Sequence, residues 1–192
     1  MRAAFIVATL TFLVALGLFY LPIPGDIAKF GILGAIRTSL YLGLVAGSAV
    51  YAWLRGGGPE RIVASVLVAD VPLDPLLHLF LAPRFAAVDP THLILGLGYL
   101  ATFLVVALRA NRLWTLWLCA FHGLSMLSHV TRALDISIHP VTYAIMQAAW
   151  SYLILLLLNF GTWNHQRRLR TRLADVSWSN SWAPAAAAPP NG

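Results

Sequence analysis

Charged residues are scarce in this 192-residue chain, at 10% of the sequence. Soluble domains carry about 25% charged residues and about 45–50% apolar residues. Here 59% of the residues are hydrophobic and the mean hydropathy is +0.76. This composition argues against an ordinary soluble domain and predicts an integral membrane protein.

Cysteine is almost absent, since Cys119 is the only one in the chain. An intramolecular disulfide and a Cys-x-x-Cys metal or redox motif are therefore excluded. The Gly-x-Ser-x-Gly and His-Glu-x-x-His patterns of hydrolases and zinc proteases are also missing. No Ala-x-Ala cleavage site follows the first apolar run, which predicts a retained signal anchor.

Long apolar runs dominate the chain, each bounded by Pro, Gly or charge. They cover residues 3–21, 31–54, 60–82, 90–109, 113–131 and 140–163. Each run is long enough, as a helix, to cross a hydrocarbon core of about 30 Å. We predict an all-α polytopic transmembrane bundle of six spans. Pro72 and Pro75 interrupt the third run, so a kinked span and a re-entrant segment both remain open there.

The basic residues lie mainly at the ends of these runs, where orientation signals belong. This placement argues against nucleic-acid binding, despite a net charge of +6. With the N-terminus in the cytoplasm, nine arginines fall on the inner side: Arg2, Arg55, Arg61, Arg109, Arg112, Arg167, Arg168, Arg170 and Arg172. Three basic residues fall outside: Lys29, Arg84 and Arg132. Because cytoplasmic loops retain the excess of Lys and Arg, both termini are predicted to be cytoplasmic.

The stretch 167–192 follows the last apolar run and is predicted to lie in the cytoplasm. Its basic part is expected to contact anionic lipid headgroups, through Arg167, Arg168, Arg170 and Arg172. The remainder is rich in Ala, Pro and Ser and has too little apolar surface to form a core. It is predicted to be disordered.

Two glycine features in the first half of the chain indicate packing and turning. Gly43 and Gly47 have the four-residue spacing that lets two helices approach closely. Packing inside the chain is the preferred interpretation, and packing between two copies is the alternative. The stretch from Arg55 to Arg61 reads Arg-Gly-Gly-Gly-Pro-Glu-Arg and lacks the Gly-Lys-Ser/Thr ending of a phosphate loop. It is predicted to be a tight turn between helices.

Ionisable side chains inside the apolar runs are costly and mark a candidate site. Asp70, Asp74 and His78 recur every four residues on one helix face. Counting helical rise places Arg37 at the depth of Asp74 and predicts that they pair. We predict a polar cluster in the outer half of the bundle: Arg37, Asp70, Asp74, His78, His122, His129 and Gln147.

Four interpretations of this cluster compete. A set of buried hydrogen bonds and ion pairs that orients the helices is preferred, which predicts a non-enzymatic structural or accessory membrane subunit. A proton or small-solute pathway along the Asp/His face is the alternative. Haem or metal ligation by His78 and His129 is a lesser alternative. Intramembrane catalysis is the fourth interpretation, and no catalytic motif in the sequence supports it. No cofactor is predicted; the expected partners are the lipid bilayer and a membrane protein or a second copy.

Three stretches carry a resemblance: RGGGPERIVASVLVAD, NRLWTLWLCAFHGLSMLSHVTR and HPVTYAIMQAAWSYLILLLLNFGTWNHQRR. They resemble a group of small bacterial multi-pass inner-membrane proteins of unknown function. The resemblance implies a helical bundle in a bacterial inner membrane. It implies no activity and transfers no catalytic residue.

Overall fold

A computed structural model of the chain describes residues 27–78, 90–110, 112–135, 137, 140–172 and 178. These residues form five helices: α1 (Ile27–Arg55), α2 (Gly58–His78), α3 (Pro90–Arg109), α4 (Trp114–Leu134) and α5 (Pro140–Arg172). The described part contains no strand, and its one isolated bridge joins Ala110 to Trp178. The all-helical prediction is confirmed. The predicted first run, 3–21, lies outside the described residues.

The helices follow the second to sixth apolar runs, with two informative differences. α2 continues through Pro72 and Pro75 to His78, so neither proline ends it. α5 continues nine residues beyond the predicted boundary at 163, because the Gln, Arg and Leu residues that follow favour helix although they are not all apolar. At the C-terminal end of α5, the apolar run therefore ends before the helix does.

One of the five described helices, α3, is long and apolar enough by length and composition alone to cross a membrane. Its best window has a mean hydropathy of 2.0. The number of membrane spans stays a prediction.

The helices pack as a ring. α1 contacts α2 and α5, α3 contacts α2 and α4, and α4 contacts α5, while α2 also contacts α5 across the middle. The apolar core lies towards the end of the bundle where Arg55, Arg109 and Arg112 lie, here called the arginine-rich end. Its buried members are Ala49, Ala52, Val63, Ala64, Phe103, Val106, Ala110, Trp114, Leu118, Ile154 and Leu158.

Glycine determines how closely α4 approaches its neighbours. A Cβ on Gly161 of α5 would lie 2.5 Å from Cε2 of the buried Trp114. A Cβ on Gly96 of α3 would likewise overlap the thioether of Met126. By contrast, a Cβ on Gly43 or Gly47 would meet nothing within 4 Å. Within the described residues, the expected packing of Gly43 and Gly47 against another helix is therefore not found.

Candidate functional site

Helix α4 carries polar side chains on its buried face and apolar side chains on its exposed face. The buried residues are mostly polar, namely Thr115, His122, Ser125, Ser128, His129 and Arg132, with Trp114 and Leu118 as the apolar members. The exposed face comprises Leu116, Trp117, Leu124, Leu127, Val130 and Leu134, with Leu113 just before the helix. Leu113 and Leu134, at the two ends, are 80% and 84% exposed. This is the reverse of an amphipathic helix in a water-soluble protein.

His122 joins α4 to α3. Its Nε2 lies 2.9 Å from the backbone carbonyl oxygen of Gly96. Since a carbonyl only accepts, Nε2 donates this hydrogen bond. The ring also packs edge-on against Phe103, with the ring centroids 5.2 Å apart. A buried histidine held in this way is part of the contact between α3 and α4.

His129 joins α4 to α5. Its Nδ1 lies 2.7 Å from the hydroxyl of Tyr143, and both side chains are buried. The guanidinium of Arg132 lies 5.9 Å from the centroid of the Tyr143 ring, at cation–π distance. Arg132 is itself buried, although its position in the sequence predicts an outer-loop residue. Arg132, which has helical spacing with His122 and His129 in the sequence, thus belongs to the polar interior, and so does Tyr143, which sequence reasoning missed.

Asp74 joins α2 to α3. Its Oδ1 lies 2.9 Å from Nε2 of His92, and the two side chains are 19% and 26% exposed. The carboxyls of Asp70 and Asp74 are near enough to Tyr99 of α3 to interact with it electrostatically. The Tyr99 ring also lies 6.4 Å from that of His122, centroid to centroid. Three members of the predicted cluster, Asp70, Asp74 and His122, therefore interact with Tyr99.

The other predicted members are placed only by their backbones. Arg37 lies in α1, His78 ends α2, and Gln147 lies in α5, while their side chains fall outside the described part. The pairing of Arg37 with Asp74 and the ligation of a metal or haem by His78 with His129 stay predictions. Among the described side chains, no group of three or more His, Cys, Asp or Glu is arranged to hold a metal ion.

A second polar cluster lies at the arginine-rich end. Glu60 is fully buried, and its Oε1 lies 3.6 Å from Nε of the buried Arg112. Nη2 of Arg112 donates to Nδ1 of the buried His165 at 3.3 Å. The other oxygen of Glu60 accepts the backbone N–H of Gly57 at 3.1 Å, as an acidic residue in the first turn of a helix commonly does. This cluster ties α2, the α3–α4 connection and α5 together.

Sequence reasoning missed this cluster because loop charges are usually solvated. Arg112 is expected on the inner side of the membrane, and His165 lies beyond the last apolar run, which ends at residue 163. A signal was present: Glu60 is the only glutamate in the chain and lies just after a glycine-rich turn, at the start of α2. A carboxylate at that position commonly accepts a backbone hydrogen bond from the preceding turn.

One residue of the C-terminal tail, Trp178, contacts the arginine-rich end of the bundle. Trp178 is half-buried, packs against the core and forms an isolated bridge with Ala110. A Cβ on Gly58 would lie 2.6 Å from its Nε1, so Gly58 leaves the room that the indole occupies. The disordered tail predicted from composition therefore has an ordered contact at Trp178.

Of the arginines predicted to contact headgroups, Arg167 and Arg170 are exposed and Arg168 is half-buried, while the side chain of Arg172 lies outside the described residues.

Every contact around the ring of helices contains a side-chain hydrogen bond or ion pair. Trp53 donates to Ser65 between α1 and α2, at 3.2 Å. Asn159 donates to Ser48 between α5 and α1, at 2.8 Å. The other three contacts contain Asp74–His92, His122–Gly96 and His129–Tyr143. We call these five pairs the polar clasps.

No protein-family model, curated protein or solved structure matches this chain.

Proposed function

We propose that this chain is a six-span helical protein of a bacterial inner membrane that acts as a non-enzymatic structural or accessory subunit. The reversed polarity of α4 supports the membrane location. Burying polar groups while exposing leucines is unfavourable in water, whereas in lipid the outer surface must be apolar and the polar groups must find partners inside.

Helix α3 supports the same location. Its exposed apolar residues run along its whole length at helical spacing: Ile94, Leu97, Leu104, Val105 and Leu108. Water-soluble monomers rarely expose a continuous apolar surface of this kind. Together with the outer face of α4, which packs beside α3, it offers a surface suited to acyl chains.

The orientation predicted from the arginines has a direct test. Reporter fusions after Lys29, Arg84 and Leu134 are expected to be periplasmic, and those after Gly57, Asn111 and Arg172 cytoplasmic. The reason is the excess of nine basic residues over three on the inner side. If the fusions after Gly57 and Arg84 report the same side, α2 does not cross and the count of six is wrong.

The polar clasps support the proposal of a structural role. In lipid, helices gain little from hydrophobic association, so interhelical hydrogen bonds of about 0.6–1.7 kcal/mol contribute directly to holding them together. Here each contact around the ring has such a hydrogen bond or, between α2 and α3, the Asp74–His92 ion pair, and two of the buried histidines serve in them. Histidines used in this way orient helices. This use favours a scaffold over a catalyst.

One observation favours a second candidate, a proton or small-solute pathway. Asp74 and His92 are both partly exposed, and Tyr99 interacts both with the carboxyls of α2 and with the ring of His122. Carboxyl, imidazole and phenol groups in sequence can exchange protons inside a membrane. This side of the bundle is the place where such a pathway would run.

Proton flux into liposomes distinguishes the two candidates. Vesicles that contain the purified protein and an internal pH dye are expected to acidify no faster than protein-free vesicles after a pH jump. The reason is that His122 is packed against Gly96 and Phe103, which interrupts a water-filled path. A faster flux that is lost in Asp74→Asn and kept in the exposed-site control Asp135→Asn would overturn the scaffold and establish the pathway.

A further inference from the structure

The last turn of α1 lies against the basic part of α5. The side-chain amide of Gln166 donates to the backbone carbonyl oxygen of Arg55, the residue that ends α1. Arg170 follows Gln166 by four residues, so the two lie on one face of α5. Arg55 and Arg170 are exposed, and both are near enough to the phenol of Tyr51 to interact with it electrostatically. Guanidinium groups from two helices therefore lie close together at one edge of the arginine-rich end.

This edge is positively charged, and no exposed carboxylate accompanies it among the described residues. Glu60, at the start of α2, is fully buried beside Arg112. The other described acidic residues lie further along α2 or past the far end of α4: Asp70, Asp74 and Asp135. Two neighbouring guanidinium groups repel each other, and a phosphate that accepts hydrogen bonds from both relieves the repulsion. The edge is therefore suited to a phosphate group.

Side chains along α5 follow the layers of a membrane surface. Phe160 is 41% exposed, and its ring lies 6.0 Å from that of Trp163, centroid to centroid. The guanidinium of the exposed Arg167 lies 5.8 Å from the centroid of the Trp163 ring, at cation–π distance. Tryptophan favours the headgroup level. From Phe160 to Arg167 the helix rises about 10 Å, enough to cross a headgroup layer of about 5–8 Å. If Phe160 contacts acyl chains, Arg167 and Arg170 therefore reach the lipid phosphates.

We propose that Arg55 and Arg170 together bind the phosphate of one anionic phospholipid of the inner leaflet. This proposal rests on the membrane location and the orientation proposed above. A lipid fits better than a free phosphate, because exposed apolar side chains lie close along both helices and can contact its acyl chains: Val50 and Leu54 in α1 and Phe160 in α5. A site for one lipid differs from general attraction of the basic stretch to an anionic surface, to which every exposed arginine at this end contributes.

Native mass spectrometry of the purified full chain in detergent tests the site. In an equal mixture of phosphatidylglycerol and phosphatidylcholine, the protein is expected to retain one phosphatidylglycerol in preference to phosphatidylcholine. Arg55→Gln and Arg170→Gln are each expected to lower the fraction with bound phosphatidylglycerol about fivefold. The control is Arg109→Gln, an exposed arginine at the end of α3, which is expected to leave that fraction unchanged.

Thermal melting in detergent distinguishes a lipid from a free phosphate. Phosphatidylglycerol is expected to raise the melting temperature of the parent protein and of Arg109→Gln, since a ligand that binds the folded state stabilises it. It is expected to leave the melting temperature of Arg55→Gln unchanged, whatever that variant's own starting value. Inorganic phosphate in place of the lipid is expected to have no effect on any of the three proteins.

Three results would each overturn the proposal. Equal retention of the two lipids by the parent protein would show that there is no phosphate-selective site. An equal loss in Arg109→Gln would show general attraction by the whole arginine-rich end, and stabilisation by inorganic phosphate would show a site for a soluble anion. These measurements use detergent, so such a failure leaves the membrane location and the scaffold role standing, which the reporter fusions and the liposome flux test separately.

Discussion

Replacing either Glu60 or Arg112 by leucine is expected to lower the free energy of unfolding by about 3–5 kcal/mol, the usual cost of stranding one member of a buried ion pair. Glu60 is fully buried, and Arg112 is 6% exposed. The carboxylate left without Arg112 would keep only the N–H of Gly57 among its two contacts described above. The double variant with leucine at both positions is expected to recover most of the loss, because no buried charge then remains.

Denaturant or thermal melting in detergent measures the three variants. Arg61→Leu, one residue from Glu60 but on the exposed side of α2, is the control and is expected to melt like the parent protein. The interaction energy follows from the difference between the double change and the sum of the single ones. Simple addition of the two losses would show that the pair does not couple.

Filling the space at Gly161 is the second change with a large expected effect. Gly161→Ala places a Cβ 2.5–2.9 Å from three atoms of the Trp114 indole, so α4 and α5 must separate or the rigid ring must turn. Overpacking of this kind typically costs about 1–3 kcal/mol. Gly161→Leu is expected to cost more, because its branched end has no free volume to enter.

Two further variants identify the clash as the cause. Gly123→Ala on α4, where an added Cβ meets nothing within 4 Å, is expected to leave the melting temperature unchanged or slightly higher, since alanine favours helix over glycine. In a Trp114→Ala background, Gly161→Ala is expected to lose most of its cost. An equal loss with and without the indole would place the defect elsewhere.

The helices could be predicted from the sequence because particular residue types mark their ends. Proline, glycine or charge stands at the end of each apolar run, and the predicted range 90–109 coincides with α3. The extension of α5 to Arg172 could not be predicted from the length of the apolar run. An apolar run shows which residues are buried or contact lipid, whereas a helix can continue into polar residues that favour helical backbone.

Counting rise per residue predicts the depth of a side chain in the bundle but not the direction in which it points. It predicts that Arg37 and Asp74 lie at one level, but it does not say how each helix is rotated about its axis. His92 therefore emerged as a partner of Asp74 only in the structure. The same limit applies to Gly43 and Gly47, whose spacing predicts a close contact without identifying the neighbour.

Accessibility of spin labels on the two faces of α4 in a lipid bilayer tests the central claim, that the helix turns its apolar face to lipid and its polar face inward. In a Cys119→Ser background, labels at Leu124 and Leu127 report the exposed face, and labels at Ser125 and Ser128 report the buried face. The labels at the two leucines are expected to collide often with oxygen, which concentrates in lipid, and rarely with a water-soluble nickel complex. The labels at the two serines are expected to collide rarely with either. Frequent collision of the leucine labels with the nickel complex would show that this face meets water and would contradict the membrane-embedded bundle.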